Sequence, residues 1–334
     1  MYVLGIETSC DETSAAILKN GKLLSNIIFS QIDIHKVFGG VVPEIAAREH
    51  LIKLPAVVDE ALAKAKIKMN DLDSIAVTSG PGLAGSLIVG LSYAKALAYA
   101  LGINFIGVNH LESHLLSPFL DYEDFDFPFI GVVVSGGHTN IYIAKGFGNY
   151  DLIGSTRDDA AGEAFDKVAK MLGLPYPGGP SISNAALKGK AEKIIFPQAF
   201  MKDKSFDFSF SGIKTSVLYY IDKNKGKIKK GEITIDDIAA AFQKAVIRTL
   251  VNKIKRLYKI HRIKRIAITG GVAANKYLKD EIMNFTKDKD VKAYIPAALL
   301  CTDNAGMVAY AGYLYLKAKK KSNFDLEADP NLKI

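Results

Sequence analysis

Apolar residues in the first third of the chain fall into short blocks with two different periods. YVLGIETS at the N-terminus is a run of apolar and β-branched residues that ends in small polar ones, which predicts a buried strand. SAAILKNGKLLSNIIFSQ places apolar blocks on both sides of Asn20-Gly21, a strong hairpin signal. EIAAREHLIKLPAVVDEALAKA predicts a helix, with Pro55 marking a kink or a break. SIAVTSG then predicts a strand, GSLIVGLSYAKALAYAL a largely buried helix, and NFIGVNH another strand. Strand–helix–strand alternation of this kind implies an α/β fold with a mostly parallel sheet and helices on its faces.

The pattern breaks at LDYEDFDFP (120–128), an exposed connection between two lobes, and then restarts. FIGVVVSGGHTNIYIA predicts two strands about a glycine turn, much like the opening hairpin. Helices are expected near 160–173 and 236–259, followed by a strand into a glycine turn at RIAITGG and a helix over AANKYLKDEIMNF. KAYIP predicts a short strand, and TDNAGMVAYAGYLYLKA a final helix with Thr302 or Asp303 as N-cap. The expected division is 1–122 and 123–334, with the C-terminal helix near 303–320 a candidate to pack back on the first lobe. Two lobes that open alike suggest a duplication of pattern rather than of residues.

Composition narrows the class. With 49% apolar and 23% charged residues over 334 positions, the chain has the make-up of a soluble globular protein. Ser92, Tyr93 and Lys95 interrupt the most apolar stretch, so no membrane association is expected. Cys10 and Cys301 are the only cysteines, too few for a disulfide framework, and both are expected to be structural. The early acids Glu7, Asp11 and Glu12 do not suit a signal peptide, so the expected location is cytoplasmic. The net charge of +8 is unevenly spread: residues 1–150 hold 10 Lys and Arg against 15 Asp and Glu, and residues 151–334 hold 33 against 20. A polyanionic partner for the C-terminal half follows, with nucleic acid the leading candidate. KNKGKIKK (223–230) and the basic stretch 253–265 are its densest clusters, and each also suits a solvated face.

Four turns follow predicted strands: IETSCDETS (6–14), SGPGLAGS (79–86), VSGGHTN (134–140) and ITGGVAAN (268–275). Glycine there lets backbone N–H groups approach phosphate oxygens, although no turn matches a P-loop or a full dinucleotide fingerprint. NHLESH (109–114) puts His110 and His114 four residues apart, on one face of a helix and within reach of one metal ion. In the peptidase motif HExxH the base glutamate follows the first histidine directly; here Leu111 stands in that place. Glu112 falls about 200° around the helix from His110, away from the metal face. The pair also has an ordinary reading as core or surface histidines, and Asp303 one as a helix cap.

GIETSCDETSAAI, GGVVPEIAAREH, TSGPGLAGSL, NHLESH, VSGGHTNIY, DDAAGEAFDKVAKMLGLPYPGGP, FSFSGIKT, AFQKAV, ITGGVAAN and CTDNAGMVA together resemble the TsaD family, the tRNA N6-adenosine threonylcarbamoyltransferases once described as glycoproteases. The matches run from residue 5 to about 310. The resemblance implies an actin-like, Hsp70-like two-lobed ATPase fold with a nucleotide in the interlobe cleft. It implies transfer of the threonylcarbamoyl group from threonylcarbamoyl-AMP to N6 of the adenosine 3′ of the anticodon, in tRNAs reading codons that begin with A. A TsaB-like paralogue and a TsaE-like ATPase are the implied partners. One divalent ion, iron or zinc, would be held by His110, His114 and Asp303. Val134, Ser135, Gly136, Gly137 and His138 match the substrate-binding loop, and Asp166, Gly179 and Asn275 further nucleotide contacts. Ser183 stands where many bacterial relatives carry aspartate, which leaves its ribose contact open.

Asp11 and Glu12 are candidate catalytic residues, for deprotonating or positioning the accepting amine, against a plainer role as a turn-capping pair. Asp166 has a plain alternative as an i,i+4 partner of Lys170. A zinc metallopeptidase, a non-enzymatic actin-like nucleotide-binding module and a sugar kinase are the competing functions. The first lacks a base beside His110, and the other two leave the histidine pair without a use.

Overall fold

The computed structural model describes residues 1–197 and 205–334. They form two compact units, Met1–Asp124 with Pro296–Ile334, and Phe125–Ile295. The first break lies in the acidic connection at 120–128. The expected boundary left residues 296–334 in the second lobe, with the helix near 303–320 a candidate to pack back on the first; the chain from Pro296 on belongs to the first unit. The reason is steric fit. The final helix, Ala305–Lys317, buries Ala305, Gly306, Met307, Val308, Ala309, Ala311 and Gly312. A Cβ on Gly5 would collide with the Ala305 carbonyl, and one on Gly312 with Ala76, so glycine lets this helix lie directly on the sheet.

The first unit holds a five-stranded sheet of β1 (Tyr2–Glu7), β2 (Glu12–Lys19), β3 (Lys22–Ser30), β4 (Ser74–Gly80) and β5 (Asn104–Asn109), in the order β3-β2-β1-β4-β5. β1, β2 and β3 pair antiparallel, while β1–β4 and β4–β5 are parallel. Asn20 and Gly21 take φ of 48° and 84°, as the two-residue hairpin turn requires. Leu4, Ile6, Ile17, Leu54, Val58, Ile75, Val77 and Phe105 fill the core beside this sheet. Truncating one such side chain, as in Leu54→Ala, costs about 2–5 kcal/mol.

The helix Pro43–Ala65 runs through Pro55 without a break. Pro55 is exposed, and so is Leu51, the residue whose carbonyl loses its amide partner to the proline. Helix Ala84–Leu101 has a mean hydropathy of 1.3 over 18 residues, apolar and long enough by composition to cross a membrane, Ser92, Tyr93 and Lys95 notwithstanding. Leu87, Leu91, Ala94 and Ala98 are nevertheless buried within the unit.

The second unit repeats the topology. β6 (Phe129–Val134), β7 (Thr139–Gly146), β8 (Asn149–Ser155), β9 (Arg265–Thr269) and β10 (Lys292–Tyr294) are ordered β10-β9-β6-β7-β8. β6, β7 and β8 pair antiparallel, and β6–β9 and β9–β10 pair parallel, the arrangement of β1 to β5 again. Its longest helix, Ile235–His261, buries Phe242, Val246, Leu250, Ile254 and Leu257 at helical spacing. Thr234 caps it: the hydroxyl accepts from Asp237 N, and the Asp237 carboxylate accepts from Thr234 N, Lys190 N and Lys193 Nζ.

Candidate metal centre and nucleotide-binding loops

β5 ends at Asn109, whose side-chain oxygen accepts from Leu111 N at 2.8 Å and Glu112 N at 3.1 Å. This cap starts helix His110–Leu116 directly off the strand and points both histidines into the unit, where they are 4% and 0% exposed. Asp303 reaches them because it is not the cap of the final helix. Asn304 holds that place, accepting from Met307 N at 3.1 Å, while Ala305 N and Gly306 N donate to Ser14 Oγ and Asn26 Oδ1. The expected cap at Thr302 or Asp303 is thus displaced by one residue, which frees the Asp303 carboxylate.

His114 Nε2 lies 3.0 Å and His110 Nε2 3.6 Å from Asp303 Oδ1, and the ligand atoms of all three fall within 4.8 Å of one another. Ligands about 2.0–2.2 Å from a common ion are separated by such distances. The donors fit an ion in chemistry as well: two imidazoles and a carboxylate suit zinc or iron.

Glu7, fully buried at the end of β1, organises the pair from behind. Its Oε1 accepts from Ser9 N at 2.6 Å, and its Oε2 from Thr78 Oγ1 at 2.6 Å and His110 Nδ1 at 3.1 Å. A carboxylate only accepts, so Glu7 keeps a proton on His110 Nδ1, and Nε2, turned to Asp303, is the ring nitrogen that becomes a ligand once it gives up its own proton. Burial pushes the Glu7 carboxyl up, but the charge and hydrogen bond of His110 outweigh it and hold Glu7 below its ordinary value. Burial likewise works against protonated His110, yet Asp303 and Glu7 raise it to about 9 in the metal-free protein. His114 is lowered, chiefly by burial. One ring is charged and the other neutral at neutral pH, and an incoming cation displaces the proton of the first.

Glu112 is turned elsewhere. Its Oε2 accepts from Tyr315 OH of the final helix at 2.6 Å, which removes the base a metallopeptidase needs. Asp11 is buried at 7% exposure in the turn between β1 and β2, and Glu12 opens β2. Burial, then the neighbouring Asp11 and Asp303, push the Glu12 carboxyl well above the usual carboxylate range. Burial, Asp11, Asp303 and Glu12 also push the Cys10 thiol up, which does not suit a nucleophile. Cys301 is buried and donates to the Pro296 carbonyl.

The other expected residues lie together in the second unit. Val134 ends β6, and the turn after it is closed by Ser135 N donating to the His138 carbonyl at 2.8 Å and His138 N to Ser135 Oγ at 3.1 Å. Helix Ala161–Met171 starts against this turn: Gly162 N donates to the Ser135 carbonyl at 3.1 Å, and a Cβ on Gly162 would collide with that oxygen. Gly136, Gly137 and Gly179 face open space. Asp166 accepts from Gly178 N at 2.6 Å, tying the helix to the YPGGP loop rather than serving as an i,i+4 surface partner. Ser183 and Asn275 join Gln243 in one hydrogen-bonded triangle.

A family model described as TsaD, tRNA N6-adenosine threonylcarbamoyltransferase, matches residues 22–310. The chain belongs to the tRNA N6-adenosine threonylcarbamoyltransferase family. A relative of that name from Clostridioides difficile is 50% identical over 335 residues, covering 100% of this chain and 98% of its own. Another from Geotalea uraniireducens is 50% identical over 331 residues, covering 99% and 96%. Among solved structures, full-length HypF has a TM-score of 0.64 at 14% identity, over 96% of this chain and 47% of its own. Component A of the Acidaminococcus fermentans (R)-2-hydroxyglutaryl-CoA dehydratase has a TM-score of 0.55 at 18% identity, over 96% and 100%. Both share the two-lobed α/β fold of the actin and Hsp70 type.

Three residues of this family member escaped sequence reasoning: Glu7, Tyr315 and Gln243. Glu7 and Tyr315 lie too far along the chain from their partners for any spacing to link them. Gln243 left a trace, as the one amide on the apolar stripe of Ala239, Phe242, Val246 and Leu250.

Proposed function

We propose that the protein takes threonylcarbamoyl-AMP and transfers its threonylcarbamoyl group to N6 of the adenosine 3′ of the anticodon, in tRNAs reading codons that begin with A. Family membership makes the chain a transferase acting on an adenosine N6 of tRNA. In the step, the N6 amine forms a bond to the carbamoyl carbon, the mixed-anhydride bond to phosphate breaks, and AMP departs while N6 loses a proton. The observation that carries this reading is the convergence of the His110 and His114 Nε2 atoms on Asp303.

His110, His114 and Asp303 would hold a divalent ion, iron or zinc, which when bound would supply Lewis acidity suited to activating a carbonyl toward a weakly nucleophilic amine. The protein's own groups do the rest. Glu7 holds the His110 tautomer. Glu12, protonated further up the pH scale than an ordinary carboxyl, can donate a hydrogen bond, and Asp11 beside it can accept the N6 proton. The glycines of Val134–His138 and Gly179 leave space for the adenylate, with Asp166, Ser183 and Asn275 at its margins. The basic C-terminal half suits a tRNA partner. Leu51 and Ile52, 67% and 64% exposed, offer an apolar surface to a TsaB-like paralogue, with a TsaE-like ATPase as a further partner.

The test supplies metal-loaded protein and its partner subunits with threonylcarbamoyl-AMP and an unmodified tRNA. AMP release matched by threonylcarbamoyl on N6 is expected. AMP release without tRNA modification would make the protein a hydrolase and overturn the proposal.

A further inference from the structure

We infer that His50, on the buried face of helix Pro43–Ala65, is a positioning residue for the transfer reaction: its imidazole holds the turn between β1 and β2 by the Cys10 carbonyl and so fixes where Asp11 and Glu12 stand. The inference rests on the reading that Asp11 accepts the N6 proton.

The turn brings together acids that repel one another. Burial, then the charges of Asp11 and Asp303, push the Glu12 carboxyl up, so nothing in these groups' own electrostatics keeps them in place. Three successive backbone carbonyls hold the turn, each tied to a different element. Leu83 N, at the start of helix Ala84–Leu101, donates to the Ser9 carbonyl at 2.8 Å. His50 Nε2 donates to the Cys10 carbonyl at 2.9 Å, and Gln31 N to the Asp11 carbonyl at 3.0 Å. Ser86 Oγ adds a longer bond to the Cys10 carbonyl at 3.4 Å. The outer two ties come from backbone groups, so His50 is the side chain on which the middle one depends.

The ring is fixed in this role at both nitrogens. A carbonyl only accepts, so the proton sits on Nε2, and Nδ1 keeps its lone pair and accepts from Thr13 Oγ1 at 2.7 Å. Burial holds the imidazole below its ordinary 6.5, and it is uncharged at neutral pH. A second histidine steadies the next partner in the same way. Val42 N donates to His35 Nδ1 at 3.3 Å, so His35 Nε2 carries the proton and donates to Gln31 Oε1 at 3.1 Å. That turns the Gln31 amide nitrogen to the Ala46 carbonyl and to His50 Nδ1, each 3.4 Å away. Thr13, Gln31, His35 and His50 are all fully buried.

A buried histidine bonded at both nitrogens has an ordinary use in holding a core together. Here the bond ends on the residue next to Asp11, in the turn that carries both acids, and it joins the stretch GGVVPEIAAREH to GIETSCDETSAAI. Displacing a reacting group by about 1 Å costs up to about 100-fold in rate, so a tie at this carbonyl acts on catalysis before it acts on folding.

The test measures transfer by metal-loaded protein with its partner subunits, threonylcarbamoyl-AMP and unmodified tRNA, and counts bound metal in each variant. His50→Asn keeps an acceptor near the place of Nδ1 but stops short of the Cys10 carbonyl. It should lower kcat about 10- to 100-fold while KM for threonylcarbamoyl-AMP and the metal content stay as in wild type. His50→Gln, one methylene longer, brings an amide nitrogen near the place of Nε2 and should recover kcat to within a few-fold. In an Asp11→Asn background, His50→Asn should cause no further loss, because both act through one turn. A wild-type kcat in His50→Asn overturns the inference. So does a loss of the same factor in the Asp11→Asn background, the mark of a histidine that only holds the fold. Should His50→Asn fail to fold, Thr13→Val removes the proton that orients the ring and should lower kcat about 3- to 10-fold; an unchanged kcat there overturns the inference too. A wild-type rate in Asp11→Asn overturns the reading of Asp11 and this inference with it, whereas a slow Asp11→Asn beside a wild-type His50→Asn overturns the inference alone.

Discussion

Replacing Glu7 with glutamine changes one oxygen to an amide group at the base of the metal centre, and the structure sets the consequence for each orientation. If the amide oxygen faces Thr78 and His110, the new NH2 group meets Ser9 N at the 2.6 Å that separated it from Oε1. Two donors then face each other in a site with no solvent, at a cost of about 1–3 kcal/mol. If the side chain turns over, the NH2 group faces Thr78 and His110. The threonine hydroxyl can rotate to accept, but His110 must then accept at Nδ1, which moves its proton to Nε2 and blocks the atom aimed at Asp303. Ser9 Oγ, 3.2 Å from His110 Nδ1, is a poor substitute for the carboxylate. Either course weakens the site, and loss of such an outer partner costs about 10- to 100-fold in metal affinity. The assay titrates Zn2+ into metal-free wild type and Glu7→Gln against a chromophoric chelator, with metal-free melting followed in parallel. Wild-type affinity together with a wild-type Tm would refute the assignment of Glu7.

Asp303→Ala should abolish stoichiometric metal and transferase activity together while the fold persists, because Asn304 caps the final helix without it; retained metal at one per chain would contradict the ligand set. Metal affinity should rise by about tenfold per pH unit below about 9 and level off above it, since His110 must lose its proton to bind, and a flat profile would oppose this. In metal-free protein the raised His110 value adds stability that is present below about 6.5 and disappears as pH passes about 9. Glu112→Gln keeps an acceptor for Tyr315, so metal content and transfer rate should stay within a few-fold of wild type; complete loss with metal retained would revive a catalytic base there. Asp237→Asn removes a carboxylate that serves Lys190 N, Thr234 N and Lys193 Nζ, and should lower stability by about 1–3 kcal/mol at pH 7 by chemical denaturation. Because the Asp237 carboxyl is held below its ordinary 3.8, the difference should shrink as pH falls below that value, and a gap that widens in acid would contradict it.

Periodicity made the strand–helix alternation and the Asn20-Gly21 hairpin legible, because both depend on residues close in sequence. Helix ends were less so. Thr302, Asp303 and Asn304 are all good caps, and only the positions of Ser14 and Asn26 under the helix start select Asn304. Pro55 marked a kink or a break in the sequence, and its exposure, which makes the missing hydrogen bond cheap within one helix, is a tertiary property. The final helix was a candidate to pack back on the first lobe, but the contacts that seat it, Gly5 against Ala305 and Gly312 against Ala76, join residues too distant in sequence for any pattern to reveal. At the metal centre the i,i+4 histidines were readable from helix geometry, whereas Asp303 came from family resemblance and Glu7 from the fold. In the triangle of Ser183, Gln243 and Asn275, Ser183 and Asn275 matched motifs, whereas the hydrogen bonds that join them to Gln243 required the coordinates.

The most direct test of the central claim is reconstitution with radiolabelled threonine, bicarbonate, ATP, a threonylcarbamoyl-adenylate synthase, the partner subunits and unmodified tRNA. Label should enter tRNA with wild-type protein, appear as N6-threonylcarbamoyladenosine on nucleoside digestion, and be absent with Asp303→Ala. A tRNA that stays unlabelled under conditions where the Clostridioides difficile relative succeeds would contradict the account.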